Sequence, residues 1–143
     1  MKTRLHYIAD KEYQSVNEHG NTLSIDMYNG KEKAHQSPME LLLSAVTACA
    51  AVDVVEILKK KRKTIDDLRV SAEGNRNPEP PRYFTDVALH FTLVSPDTDK
   101  ETLEKVVALT IDKYCSVAST IDGKANLSYS VEIVKKEELH AGS

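Results

Sequence analysis

SPMELLLSAVTACAAVDVV, residues 37–55, is the longest apolar run in the chain, and its grammar is helical. Ser37 stands at a cap position, Pro38 takes the first helical position, and Glu40 falls where a capping box needs a carboxylate. A helix is expected from Pro38 to about Arg62. Its residues Leu41, Leu42, Leu43, Ala45, Val46, Ala48, Cys49, Ala50, Ala51 and Val52 reach nearly every angle of the helical wheel. A helix that is apolar all round must be covered all round. One small sheet covers one side only, so a second copy of the chain is the simplest cover for the rest.

Upstream of this helix, Lys2 to Ala9 and Tyr13 to Val16 are expected as strands. The turn signal His19-Gly20-Asn21 leads into Thr22 to Tyr28, with Leu23, Ile25 and Met27 on one face. Asn29 to Gln36 is a polar loop. Downstream, the cations of Lys59 to Lys63 sit where a helix C-terminus favours them. Leu68 to Glu73 is expected as a strand, Gly74 to Pro81 as a loop, and Tyr83 to Val94 as a long alternating strand with one phase break. Ser95-Pro96-Asp97-Thr98 ends that strand and caps a second helix, Asp99 to Tyr114, with the stripe Leu103, Val106, Val107, Leu109, Thr110 and Ile111. A helical turn at Ser116 to Ile121 and a last strand from Asn126 to Val134 complete the order. Three strands, helix, two strands, helix, strand define an α+β fold with mostly antiparallel sheets. All 143 residues are expected to form one domain.

A net charge of −3 offers no basic field for phosphate backbones, so nucleic acid is not an expected partner. Ser44, Thr47, Asp53 and Glu56 interrupt the apolar run, so no membrane span is expected, and no export signal is read at the start. The cytoplasm is the expected compartment, where thiols rest reduced. Two cysteines there, Cys49 and Cys115, are either small buried hydrophobes or a redox pair. No CxxC is present and no His or acidic cluster has zinc-ligand spacing, so neither a metal nor another cofactor is expected. Cys49 lies about three turns into its helix and Cys115 at a helix end, where the dipole opposes ionisation unless a new helix starts at Ser116. That places Cys49 as attacker and Cys115 as resolver. Asp53, four residues after Cys49 on the same helix face, is a candidate proton acceptor or structural carboxylate. His35, before the helix, is read as solvated. Ser44, Thr47 and Ser116 either line a pocket or satisfy helix carbonyls.

Residues 37–55 resemble the central-helix signature of the OsmC/Ohr family, an Asn/Ser-Pro start followed by a Leu/Ala-rich helix bearing the first cysteine. YCSVASTI, residues 114–121, is similar to the segment that carries the family's second cysteine, and PRYFTDVALHF, residues 81–91, resembles the start of its long middle strand. The resemblance implies an OsmC-like fold: an intertwined homodimer, sheets wrapped around long central helices, and paired active sites. It implies catalytic roles for Cys49 and Cys115. The first attacks an organic hydroperoxide, the second closes a disulfide, and an external dithiol reduces it. Two positions depart from the peroxidase pattern. Met39 stands where those proteins carry glutamate, and Glu40, one residue on, is rotated by about 100°. No arginine lies between Arg4 and Arg62, which leaves Arg69, Arg76 and Arg82 as stand-ins for an orienting cation, with Arg76 and Arg82 flanking a loop. Asp53, Glu40, Arg76 and Arg82 are therefore the expected supporting residues. The expected function is thiol-dependent reduction of organic hydroperoxides in oxidative-stress defence. The alternative is a redox sensor, or a binder of small apolar ligands without efficient turnover.

Overall fold

A computed structural model describes residues 1–135. Three strands come first: β1 (Thr3–Ala9), β2 (Glu12–Asn17) and β3 (Thr22–Asp26) form an antiparallel sheet in sequence order. The long helix α1 (Pro38–Lys60) follows. Next come β4 (Asp67–Arg76), β5 (Phe84–Val94), α2 (Lys100–Leu109), a π-helical turn (Thr110–Tyr114), α3 (Ser116–Ile121) and β6 (Asn126–Val134). The second sheet has the order β4-β5-β6. β4 and β5 are antiparallel, whereas β6 returns after α2 and α3 to pair with β5 in parallel. The α+β class and the mostly antiparallel pairing hold. The chain divides into two compact units, Met1–Leu42 and Leu43–Ser143.

The second unit carries the core. β5 buries Phe84, Val87, Leu89, Phe91 and Leu93. Its inward period of two slips between Phe84 and Val87, next to the register shift at Asn75/Arg76. That irregularity is the phase break seen in the sequence. α1 adds Val46, Ala50, Val54 and Leu58, one stripe at i, i+4 spacing, and α2 adds Leu103, Val106 and Val107. The helix is therefore not covered all round within one chain. The opposite stripe of Leu42, Ala45, Ala48 and Val52 is exposed, Val52 to 57%. By length and composition α1 could also cross a bilayer, a test that core helices of other proteins pass as well.

Several boundaries differ from the sequence reading for identifiable reasons. α1 ends at Lys60 rather than Arg62 because Arg62 turns left-handed (φ 59°), and Lys63 N–H then closes onto the Leu58 carbonyl at 2.9 Å. The second helix is capped by Asp99, whose carboxylate accepts from Thr102 N–H at 2.7 Å. Asp97 instead accepts from the backbone and hydroxyl of Thr64, at 2.9 and 3.1 Å. β4 does not stop at Glu73 but runs on through Gly74 to Arg76. Glycine is permitted there, and required, because a Cβ would stand 2.5 Å from Cε1 of Phe84. Gly74→Ala is expected to destabilise the protein by about 1–3 kcal/mol, the usual cost of overpacking, read as a lower denaturant midpoint at unchanged slope.

In the first unit the sheet exposes apolar residues including Leu5, Tyr7 and Leu23, and Met27 just after β3 is exposed as well. The sheet's one fully buried polar side chain among the described residues is Asp26. Asp26 accepts from the backbone N–H groups of His35 (2.7 Å), Ala34 (2.9 Å) and Tyr28 (3.2 Å), with Lys33 Nζ at 3.4 Å. Burial alone pushes its carboxyl upward. The Ala34, His35, Lys33 and Tyr28 donors outweigh that and hold it below the usual range. The loop before α1 is thus pinned to β3 by one carboxylate. A depressed folded-state value means stability is present above the ordinary carboxylate range and lost as pH falls through it. Asp26→Asn should lower stability at neutral pH and flatten that acid limb, as followed by denaturant midpoints across pH.

Candidate functional site

Cys49 comes from the middle of α1, and Asp53 lies one turn further along the same face. Cys115 comes from the junction after α2. The helix there widens into a π turn over Thr110–Tyr114, ends with Cys115 N–H bonded to the Thr110 carbonyl at 2.8 Å, and α3 begins at once. Insertions of this kind redirect the following residue and recur at functional sites. Cys115 is the N-cap of α3, and its sulfur accepts from Ala118 N–H at 3.4 Å. The result is a cluster in which one ligand-type atom each from Cys49, Asp53 and Cys115 lies within 4.8 Å of the other two. The sulfurs, 66 positions apart in sequence (115 − 49), are both unbridged.

The two thiols differ. Cys49 is half-buried; Cys115 is 1% exposed. Burial pushes the Cys115 thiol up to about 11. The Ala118 N–H pulls the other way, but a hydrogen bond to Cys49 and the nearby Cys49 and Asp53 charges reinforce the rise. Cys115 therefore holds its proton and shares it toward Cys49. The new helix at Ser116 does start, yet its single amide donor does not overcome desolvation. Asp53 Oδ2 is itself buried and has no hydrogen-bond partner among the described residues. Asp53 also edges a cleft of about 380 Å³ whose walls include Ile57, Lys60, Leu109 and Tyr114.

The other sequence candidates lie elsewhere. Glu40 forms the expected capping box, accepting from Ser37 N–H at 3.1 Å while the Ser37 hydroxyl accepts from Glu40 N–H at 3.3 Å. It also pairs with Lys33 Nζ at 3.1 Å, and these bonds hold its carboxyl below the usual range. Arg76 Nε donates to the Arg82 carbonyl at 2.8 Å and so braces the β4–β5 connection, which contains a cis Pro80–Pro81 bond. Arg69 pairs with Asp67 at 3.0 Å. The described partners of these arginines are thus on their own strands and loop, not at the thiols. The cation that joins Asp26 to Glu40 is a lysine, Lys33. Thr110, fully buried with a hydroxyl that has no partner among the described residues, stands in the sequence only as part of an apolar stripe.

Two thiols, one half-buried and one enclosed, converge beside Asp53 on an α+β scaffold with two three-stranded sheets. The family model described as OsmC-like protein matches residues 30–130, and the chain belongs to that family. It is 34% identical over 134 residues to protein YhfA of Escherichia coli, covering 94% of this chain and 98% of that protein. An OsmC-like protein from Mycoplasma pneumoniae shares the fold at TM-score 0.82 and 17% identity, over 93% of this chain and 96% of the other. The organic hydroperoxide resistance protein OhrB of Bacillus subtilis shares it at TM-score 0.66 and 14% identity, over 92% and 96%.

Proposed function

We propose that the protein reduces organic hydroperoxides through a Cys49/Cys115 dithiol–disulfide cycle, as a cytoplasmic homodimer active in oxidative-stress defence. The observation that carries this reading is the approach of the two sulfurs within 4.8 Å, with Cys115 holding its proton beside Cys49. In the cycle, the Cys49 thiolate attacks the distal peroxide oxygen. A Cys49 sulfenic acid forms and the alcohol leaves with a proton. The Cys115 thiol then condenses with the sulfenic acid, its proton leaving with the hydroxyl as water, and the S–S bond closes. An external dithiol reduces that bond. Asp53 stands where a proton could be passed during condensation. The neighbouring cleft sets Ile57, Leu109 and Tyr114 beside the charged Asp53, Glu56, Lys60 and Lys61, a mixed lining that suits the organic group and the polar head of a hydroperoxide, and the exposed stripe of α1 suits a second copy of the chain.

Cumene hydroperoxide supplied with an excess dithiol tests the reading: turnover by the wild-type protein, lost in Cys49→Ser, supports it, and no Cys49-dependent consumption overturns it. A second reading, a redox sensor or apolar-ligand binder without efficient turnover, is favoured by Met39 at the family's glutamate position and by Arg69 and Arg76 bonding Asp67 and the Arg82 carbonyl. Stoichiometric oxidation without turnover, or a ligand retained through purification, would select it.

A further inference from the structure

The Cys49–Asp53–Cys115 cluster has the composition of a coordination sphere as well as of a thiol pair. Two soft sulfurs and one hard oxygen converge from a single helix face and a helix junction, each within 4.8 Å of the others. Tetrahedral zinc bound by sulfur at about 2.3 Å and carboxylate oxygen at about 2.0–2.2 Å needs its ligand atoms about 3.5–3.8 Å apart. A closing movement of about 1 Å, within reach of side-chain rotation, brings the three atoms there. The independent sign is Asp53 Oδ2. A buried carboxylate oxygen without a partner is costly, and donors or a cation normally satisfy it.

We propose that, in the reduced protein, Cys49, Asp53 and Cys115 form a three-ligand Zn²⁺ site whose fourth position is open to water or to an incoming thiol. The ligand set favours zinc over the alternatives. Copper(I) is satisfied by the two sulfurs and has no use for the carboxylate, while magnesium and calcium avoid thiolate. Binding releases the two thiol protons and leaves a net charge of −1 on the metal and its three ligands. Of the three ligands, Asp53 also lines the neighbouring open cleft. Zinc binding and disulfide formation exclude one another. A hydroperoxide oxidising the zinc-bound pair takes two electrons from the thiolates, closes the S–S bond, consumes two protons to give alcohol and water, and sets Zn²⁺ free. The site thereby links metal occupancy to redox state, which the peroxide cycle alone does not require.

Competition between the reduced, chelator-stripped protein and a chromophoric zinc chelator measures the site directly. One Zn²⁺ per chain is expected, with affinity falling about 100-fold or more in Asp53→Ala and in Cys49→Ser, beyond the 10–100-fold that outer-sphere partners account for. Asp53→Asn, which keeps the shape, should show the same loss and guards against a folding defect. Co²⁺ in place of zinc should give sulfur-to-metal charge-transfer absorption that vanishes when the protein is oxidised to the disulfide. No binding by the reduced protein, or binding unchanged by both the Asp53 and the Cys49 substitutions, overturns the proposal. Because peroxide turnover is assayed in the presence of chelator, failure of the zinc site and failure of the peroxidase reading are separate results.

Discussion

If Cys49 is the attacking thiol as proposed, Cys49→Ser is expected to slow hydroperoxide consumption by about 1,000-fold or more, because a weakly acidic hydroxyl replaces the nucleophilic sulfur. Cys115→Ser should behave differently. The first peroxide equivalent is still consumed, but the Cys49 sulfenic acid has no partner and accumulates, so a sulfenic-acid trap such as dimedone labels Cys49 stoichiometrically. The wild-type protein, treated alike, should end as an intramolecular disulfide and resist the trap. The asymmetry follows from burial: Cys115 is enclosed and Cys49 half-open, so peroxide reaches the latter first. Equal activity in wild type and Cys49→Ser, measured as peroxide loss under saturating dithiol, would sink the assignment of attacker.

The sequence already carried the element order because helix and strand periods are local properties. The Ser37-Pro38-Glu40 signal, the alternation of Phe84 to Leu93 and its phase break all describe geometry that a few neighbouring residues determine. What was not legible was anything that depends on partners distant in the chain. Gly74 was taken for the start of a loop because its reason for being glycine, the Phe84 ring, lies across the sheet. The parallel return of β6 onto β5 depends on the path of α2 and α3 rather than on the residues of Asn126 to Val134. Linear spacing likewise did not bring Cys115 to Cys49 and Asp53, since it joins them only after two strands and a helix have intervened. The near-uniform apolarity of α1 exceeds the burial the chain itself supplies. Within the chain, one stripe is covered and the other faces outward.

The pH dependence of thiol reactivity should be the sharpest physical signature of the site. Cys115 pushed up to about 11, against an ordinary value of 9.0, carries about a hundredfold less thiolate than an unperturbed thiol at neutral pH. Alkylation of the metal-free reduced protein should therefore modify Cys115 about 100-fold more slowly than a free thiol of the same kind, with its rate still rising as pH approaches 11. The same displacement predicts a stability effect of definite sign. Below about 9 the thiol is protonated in both folded and unfolded chains and contributes nothing that varies with pH. Between about 9 and 11 the unfolded chain releases the proton while the folded chain keeps it, so stability falls as pH rises. Lysines and tyrosines titrate in that window too, so the informative quantity is the difference between wild type and Cys115→Ser, which lacks the thiol and should show a shallower alkaline decline. Rapid alkylation of Cys115 at neutral pH would mean that the sulfur is open to solvent and ionised, and the burial that makes it a proton-holding resolver would then be absent.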